Sequence, residues 1–249
     1  MFESVELTVA GKAIRGTVMT PEGNGPFPTV CFYHGFSVDR IGMNRLHFLF
    51  AKRCVDEGFA CVRFDFYGCG ESDGDFREKR VSFELEQTLA IYDWTISQPF
   101  ADPQHMFMVG HSLGGILTSM GAAKRQPAGA VLWSPGLTAY YDISSRVHAV
   151  PTQYVPEYDI GGMLLEQGFF TDLRSIDILG ESRGYEKGVL IVHGEMDEKV
   201  PVYAVGPYTD MYGDKVEVAI IPGANHQFSS WDWKQQVYDR TMEYLKKRV

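Results

Sequence analysis

His105-Met-Phe-Met-Val-Gly-His-Ser-Leu-Gly-Gly-Ile116 is the stretch on which the reading of this chain turns. Met106 to Val109 is an apolar run of the kind a buried strand needs. The chain then turns through Gly110-His111-Ser112-Leu113-Gly114 and enters a helical pattern from Gly115 to Lys124. A strand, Gly-x-Ser-x-Gly and a helix in immediate succession make a nucleophile elbow. The turn is so tight that side chains at 110 and 114 would collide with the neighbouring strand and helix. The Ser112 hydroxyl is lifted clear of the sheet, at a helix N-terminus whose partial positive charge favours an anion.

Outward from the elbow, apolar runs alternate with helical patterns. N-terminal to it, residues 2–20 read as a hairpin around Gly11-Lys12, and 29–33 as a buried strand ending in His34-Gly35-Phe36. A helix is expected over 43–58, a strand over 59–65 and a second helix over 81–97, stopped before Pro99. C-terminal to it come strands over 128–133, 188–192 and 216–221, with helices over 202–212 and 230–248. This rhythm predicts an α/β fold: a mostly parallel central sheet flanked by helices. It breaks over residues 137–183, where Tyr140, Tyr141, Tyr154, Tyr158, Phe169 and Phe170 cluster and no clear strand–helix unit is visible. We read 137–183 as a small inserted cap beyond the strand ends, and 1–136 with 184–249 as the core. In open α/β sheets, ligands bind beyond those carboxyl ends.

A chain of 249 residues suits one large domain. A net charge of −9 argues against nucleic acid and anionic membrane as partners, since both reward clustered Lys and Arg. Cys31, Cys54, Cys61 and Cys69 show neither C-x-x-C nor metal-ligand spacing, which fits buried, reduced thiols in a cytoplasmic setting. The N-terminus lacks a basic region followed by an apolar run, and no apolar run approaches membrane-spanning length.

A serine hydroxyl is a poor nucleophile until a base takes its proton, and the base needs a carboxylate to hold it. Two later strand ends supply both: Asp197 follows strand 188–192, and His226 follows strand 216–221. The order Ser112, Asp197, His226 is the one expected of this architecture. Glu195 and Glu198 flank Asp197 and compete for its role. Among the other histidines, His111 should point away from its neighbour Ser112, and His34 and His193 should brace loops. His47, His105 and His148 lack a strand-end context and read as surface or structural residues. The backbone N–H groups of Leu113 and Phe36 are the expected oxyanion donors.

Together, His34-Gly35-Phe36, Asp65-Phe66-Tyr67-Gly68-Cys69-Gly70-Glu71-Ser72, Gly110-His111-Ser112-Leu113-Gly114-Gly115, Asp197 with Val200-Pro201, and His226 resemble the α/β-hydrolase superfamily. The motifs span residues 29 to 226. The compact size and the length of the cap are similar to those of bacterial cinnamoyl (feruloyl) esterases. That resemblance implies the α/β-hydrolase fold, a serine mechanism and a cap whose Asp and Tyr meet a phenolic hydroxyl. Asp142 falls where the Asp would stand, though an ordinary surface carboxylate is an equal reading. After Gly161-Gly162, Met163-Leu164-Leu165 stands where the Tyr would be, which leaves Tyr140, Tyr141 or Tyr158 for that role. Leu113 also departs from the Gln that often follows the serine in these esterases.

The expectation is a serine carboxylesterase acting on a small-molecule ester, with neither metal nor organic cofactor. Feruloyl or cinnamoyl esters are the substrate the resemblance suggests. A lipase-like monoacylglycerol hydrolase would use the aliphatic Met163, Leu164 and Leu165. An aminopeptidase-type hydrolase would need a cap carboxylate for the substrate's amine, from Asp142, Glu157, Asp159 or Glu166. A non-catalytic binding protein would have no need of all three of Ser112, Asp197 and His226. An apolar patch on the cap or the last helix would support a homodimer.

Overall fold

The computed structural model describes residues 1–147 and 157–249. His148 and Tyr154, assigned above as a surface or structural histidine and a cap aromatic, lie outside the described residues.

The chain opens with a hairpin of β1 (Phe2–Val9) and β2 (Lys12–Met19), followed by β3 (Phe27–Tyr33), α1 (Leu46–Asp56) and β4 (Ala60–Phe64). Then come α2 (Val81–Ile96), β5 (Ala101–His111), α3 (Leu113–Arg125) and β6 (Gly129–Trp133). The segment after β6 holds α4 (Ala139–Val147), β7 (Glu157–Ile160), β8 (Met163–Glu166), α5 (Gln167–Ser175) and α6 (Ile178–Ser182). Regular alternation returns with β9 (Val189–Gly194), α7 (Gly206–Tyr212), β10 (Val216–Ile221) and α8 (Trp231–Lys246).

Eight strands form one sheet in the order β1-β2-β4-β3-β5-β6-β9-β10. The β1–β2 and β2–β4 pairs are antiparallel, and β4 through β10 run parallel. The central strands are apolar on both faces, as a sheet covered on both sides requires. Val30, Phe32, Phe107, Val109, Val131, Trp133, Leu190 and Val192 face α1 and α8. Their alternates Cys31, Tyr33, Met106, Met108, Ala130, Leu132, Val189 and Ile191 face α2, α3 and α7. This is an α/β-hydrolase fold. All four cysteines are buried and unpaired.

Three boundaries differ from the sequence-based expectation. The first helix starts late: Asn44 and Arg45 have positive φ, so a single 3-10 turn at Met43–Arg45 precedes α1. The expected helix 202–212 is a 3-10 turn at Val202–Val205 followed by α7, because Pro207 begins a new helix more readily than it continues one. Residues 137–183, where no clear strand–helix unit was expected, contain among the described residues three helices and a β7–β8 hairpin turning through Gly161-Gly162. The strands there are only four residues long, too short for periodicity to register. Ile143, Val147, Ile160, Leu165, Phe169, Phe170 and Leu173 of this segment share the apolar cluster that covers the α2–α3 face of the sheet.

Candidate active site

The elbow between β5 and α3 holds Ser112 at φ 58°, ψ −116°, a conformation a non-glycine residue adopts only when its surroundings impose it. Those surroundings are backbone hydrogen bonds. The Ser112 N–H donates to the Trp133 carbonyl at 2.8 Å, and the Ser112 carbonyl accepts from Gly115 and Gly136 at 2.9 and 3.0 Å. A Cβ on Gly110 would overlap the Gly114 carbonyl and the Thr118 hydroxyl. One on Gly114 would overlap the Tyr33 and His34 carbonyls. Both collisions are with β3 or α3, as the sequence implies.

The loops after β9 and β10 bring two more groups to the serine. His226 Nε2 lies 2.9 Å from Ser112 Oγ, and His226 Nδ1 lies 2.7 Å from Asp197 Oδ2. A carboxylate only accepts, so Nδ1 carries the proton and Nε2 is left free to accept from the serine. Asp197 and His226 are 5% and 4% exposed, so water competes little for these bonds. Asp197 Oδ1 accepts from the Lys199 and Val200 N–H groups at 3.0 and 2.8 Å. Burial alone would raise the Asp197 carboxyl. The hydrogen bond and charge of His226, with the Val200 N–H, outweigh it and hold the pKa below the ordinary carboxylate value. Glu195 instead caps the Gly223 N–H at 2.8 Å.

Four further histidines, His193, His111, His47 and His34, brace this arrangement. His193 Nε2 donates to the Val200 carbonyl at 2.8 Å, fixing the loop that carries Asp197. His111 points away from Ser112 and donates from Nε2 to the His226 carbonyl at 2.9 Å. Its Nδ1 faces His47 Nε2 at 3.3 Å. Burial, with His226 close by, pushes His111 down to about 3, so the ring stays neutral. His47 is fully inside and tilts against Phe32, a structural rather than a surface residue. His105 is half-buried and bonded to Asp102 at 2.7 Å, far from the elbow. His34 Nδ1 donates to the Gly35 carbonyl at 2.8 Å and Nε2 accepts from the Phe66 N–H at 3.0 Å. It therefore ties the Gly35–Phe36 loop to the end of β4.

The Phe36 and Leu113 N–H groups donate to no protein acceptor among the described residues. Phe36 lines the cleft that also holds Ser112 and His226, while the Leu113 side chain is buried in the core. The Phe36 ring packs on Phe76 and on Phe169 of α5, at centroid separations of 5.3 and 5.2 Å. The segment 137–183 thus touches the loop expected to meet the oxyanion. The cleft itself is narrow, about 40 Å³.

The four residues expected to contact substrate are not brought to this cleft. Tyr140 and Tyr158 line a separate hollow with Ser144, Val147, Gln167 and Phe170. Tyr141 is 76% exposed. The Asp142 carboxylate holds Arg146 Nη2 one helical turn along. Sequence reasoning overlooked the two cations of the cleft, Arg146 and Lys199, along with Ser37, Val38, Met43 and Gln227. Ala139, Ile143 and Val147 at four-residue spacing, with the Asp142–Arg146 pair, were the signal for a helix that puts Arg146 there.

No helix among the described residues is long and apolar enough to cross a membrane. The described residues also contain no group of three or more His, Cys, Asp or Glu side chains arranged to hold a metal.

A model of the prolyl oligopeptidase family matches residues 46–249. Among curated proteins, the chain is 34% identical over 115 residues to an uncharacterised 31.7 kDa Escherichia coli protein from the traX-finO intergenic region, 46% of this chain and 39% of that one. It is 28% identical over 138 residues to the mitochondrial palmitoyl-protein thioesterase ABHD10 of Mus musculus, 55% of this chain and 43% of the relative. The match thus spans less than half the length of these relatives. Among solved structures, Est1E from Butyrivibrio proteoclasticus with ferulic acid bound superposes at a TM-score of 0.86 and 24% identity, covering 98% of each chain.

Proposed function

The chain belongs to the prolyl oligopeptidase family, serine hydrolases on the α/β-hydrolase fold, and we propose that it is a carboxylesterase working through an acyl-enzyme on Ser112. The single observation that carries this reading is the hydrogen-bonded run from Ser112 Oγ through His226 to Asp197, at 2.9 and 2.7 Å.

In this reading the Ser112 oxygen attacks the ester carbonyl while His226 Nε2 takes the hydroxyl proton. Asp197, charged and held by two N–H groups, keeps the imidazole in the right tautomer and stabilises its cation. The tetrahedral oxyanion meets the Phe36 and Leu113 N–H groups. The C–O bond to the alcohol breaks, and His226 returns the proton to that oxygen. A water then attacks the acyl-enzyme, with His226 again as base, to release the acid and free Ser112. Residues 137–183 act as the cap over this cleft.

Within esters, hydroxycinnamates such as ferulate are the first candidates. What supports them is the likeness of the whole chain to Est1E, the structure of which holds ferulic acid. A peptidase reading draws on the family's name. It lacks a carboxylate for the substrate's amine: Asp142, Glu157, Asp159 and Glu166 are held by Arg146, Arg77, the Gly162 N–H and Arg80. The aliphatic lipase reading keeps only Leu164 of its three residues, because Leu165 is buried in the core and Met163 packs against it.

The test is a hydrolysis panel of methyl ferulate, 4-nitrophenyl butyrate, a monoacylglycerol and an aminoacyl anilide, with Ser112→Ala as control. Ester turnover that falls about 10³-fold or more in the control is the expected result. Anilide cleavage well above ester cleavage would replace the esterase by a peptidase. Turnover that survives Ser112→Ala would remove the serine mechanism.

A further inference from the structure

The cleft at Ser112 carries an unusual charge for this protein. The chain has a net charge of −9, yet among the described residues the charged side chains lining the cleft beside Ser112 and His226 are Arg146 and Lys199, with no carboxylate. Arg146 stands in the last turn of α4, its guanidinium carbon 5.6 Å from the centre of the Phe36 ring. It is thereby placed beside the loop proposed to meet the oxyanion. Asp142 engages only its Nη2. Its Nε is buried and has no hydrogen-bond partner among the described residues. The Lys199 ammonium has no ion-pair partner among the described residues, although its backbone N–H is committed to Asp197.

A guanidinium presents a planar fork of donors that matches a carboxylate or phosphate, and an unsatisfied N–H inside a cleft is costly unless a ligand meets it. Two cations in a narrow cleft also focus field on whatever enters it. We propose that this site selects esters bearing an anionic group close to the scissile bond, with Arg146 as the residue that reads the anion and Lys199 adding to the attraction. The inference rests on the esterase reading above and narrows it. In this arrangement Asp142 is not a substrate ligand. It aims Arg146 and competes with the substrate's anion for it.

Two matched pairs of esters test the proposal on the two sides of the ester bond. On the acyl side, 4-nitrophenyl hydrogen glutarate is compared with 4-nitrophenyl butyrate. On the alcohol side, (4-acetoxyphenyl)acetate is compared with 4-ethylphenyl acetate. The readout is the ratio of kcat/KM for the anionic over the neutral member, in wild type, R146Q, R146K and D142N, at low and high salt. Expected is a ratio of about ten or more in at least one pair. It should fall at least fivefold in R146Q, be partly kept in R146K, rise in D142N and shrink with salt. A ratio at or below one in both pairs, or one that R146Q leaves in place, overturns the proposal while Ser112-dependent turnover of the neutral esters keeps the esterase reading. Absence of Ser112-dependent turnover of all four esters overturns that reading and this inference with it.

Discussion

At His226 the two ring nitrogens are assigned opposite tasks by their neighbours, and this makes Asp197 testable separately from the base itself. The carboxylate accepts from Nδ1–H at 2.7 Å. An amide at 197 can offer a donor to that nitrogen, which drives the proton to Nε2, where it faces Ser112 Oγ and blocks proton transfer. Asp197→Asn should therefore lower kcat by about 10⁴-fold at neutral pH while the fold survives. Asn at 226 should lower it by orders of magnitude too, and a variant with near-full rate would mean that another residue is the base. The two substitutions should be far from additive in the double variant, because both disable one proton transfer. Single-turnover kinetics on an activated ester, with circular dichroism as a check on folding, would measure this.

At the level of elements, the site is a property of strand ends. Ser112 closes β5, Asp197 follows β9 and His226 follows β10. These were legible in the sequence because a buried parallel strand is an apolar run of the right length, and each run ended in polar residues able to do chemistry. The segment 137–183 was not legible. Its helices and strands are short, and its apolar residues, the four-residue series Ala139, Ile143 and Val147 included, are spent on the core of the main sheet. Arg146 was lost with it: a cation four residues from an acid looks like an ordinary surface pair until the helix is seen to end over the cleft. The elbow glycines lie at the opposite extreme, where sequence and structure agree to the atom. Gly114→Ala sets a methyl against the backbone carbonyls of Tyr33 and His34, which cannot turn aside. The expected cost is about 1–3 kcal/mol or more, a fall of several degrees in the unfolding midpoint, with loss of activity as the elbow shifts. Gly206→Ala is the matched control, since a methyl there meets no atom within 4 Å. If calorimetry found both variants as stable as the parent, the close approach of α3 to β3 would not be what demands glycine.

For the molecule as a whole, the same burial that organises the site ties its stability to pH. His34 and His111 are pushed down to about 3, chiefly by burial, and His47 is also held well below an ordinary imidazole. These rings are neutral in the fold, whereas the unfolded chain protonates them below about pH 6.5. The unfolded state then binds more protons, so stability is full above that pH and falls as the solution is acidified toward the folded values. By pH 5 His34 and His111 each cost about 2 kcal/mol, and His47 adds in the same direction. Their sum is an upper bound, because burial also raises Asp65 and Glu84, whose uptake of protons in the fold works the other way. The midpoint for unfolding in urea should therefore drop between pH 6.5 and 5, a window above that in which unfolded carboxylates titrate. A flat profile would mean that the buried rings already carry protons in the native state or that Asp65 and Glu84 offset them in full. Asp197, held below the ordinary carboxylate value, stays charged throughout this range, so its bond to His226 Nδ1 is kept as long as the fold is. A pH jump separates loss of the fold from loss of activity within it. Enzyme held briefly at pH 5 and returned to 7.5 should regain its full rate at once where the fold survived. Any fraction lost should follow the population unfolded at pH 5, and a loss without unfolding would show that acid rearranges the site within the folded protein.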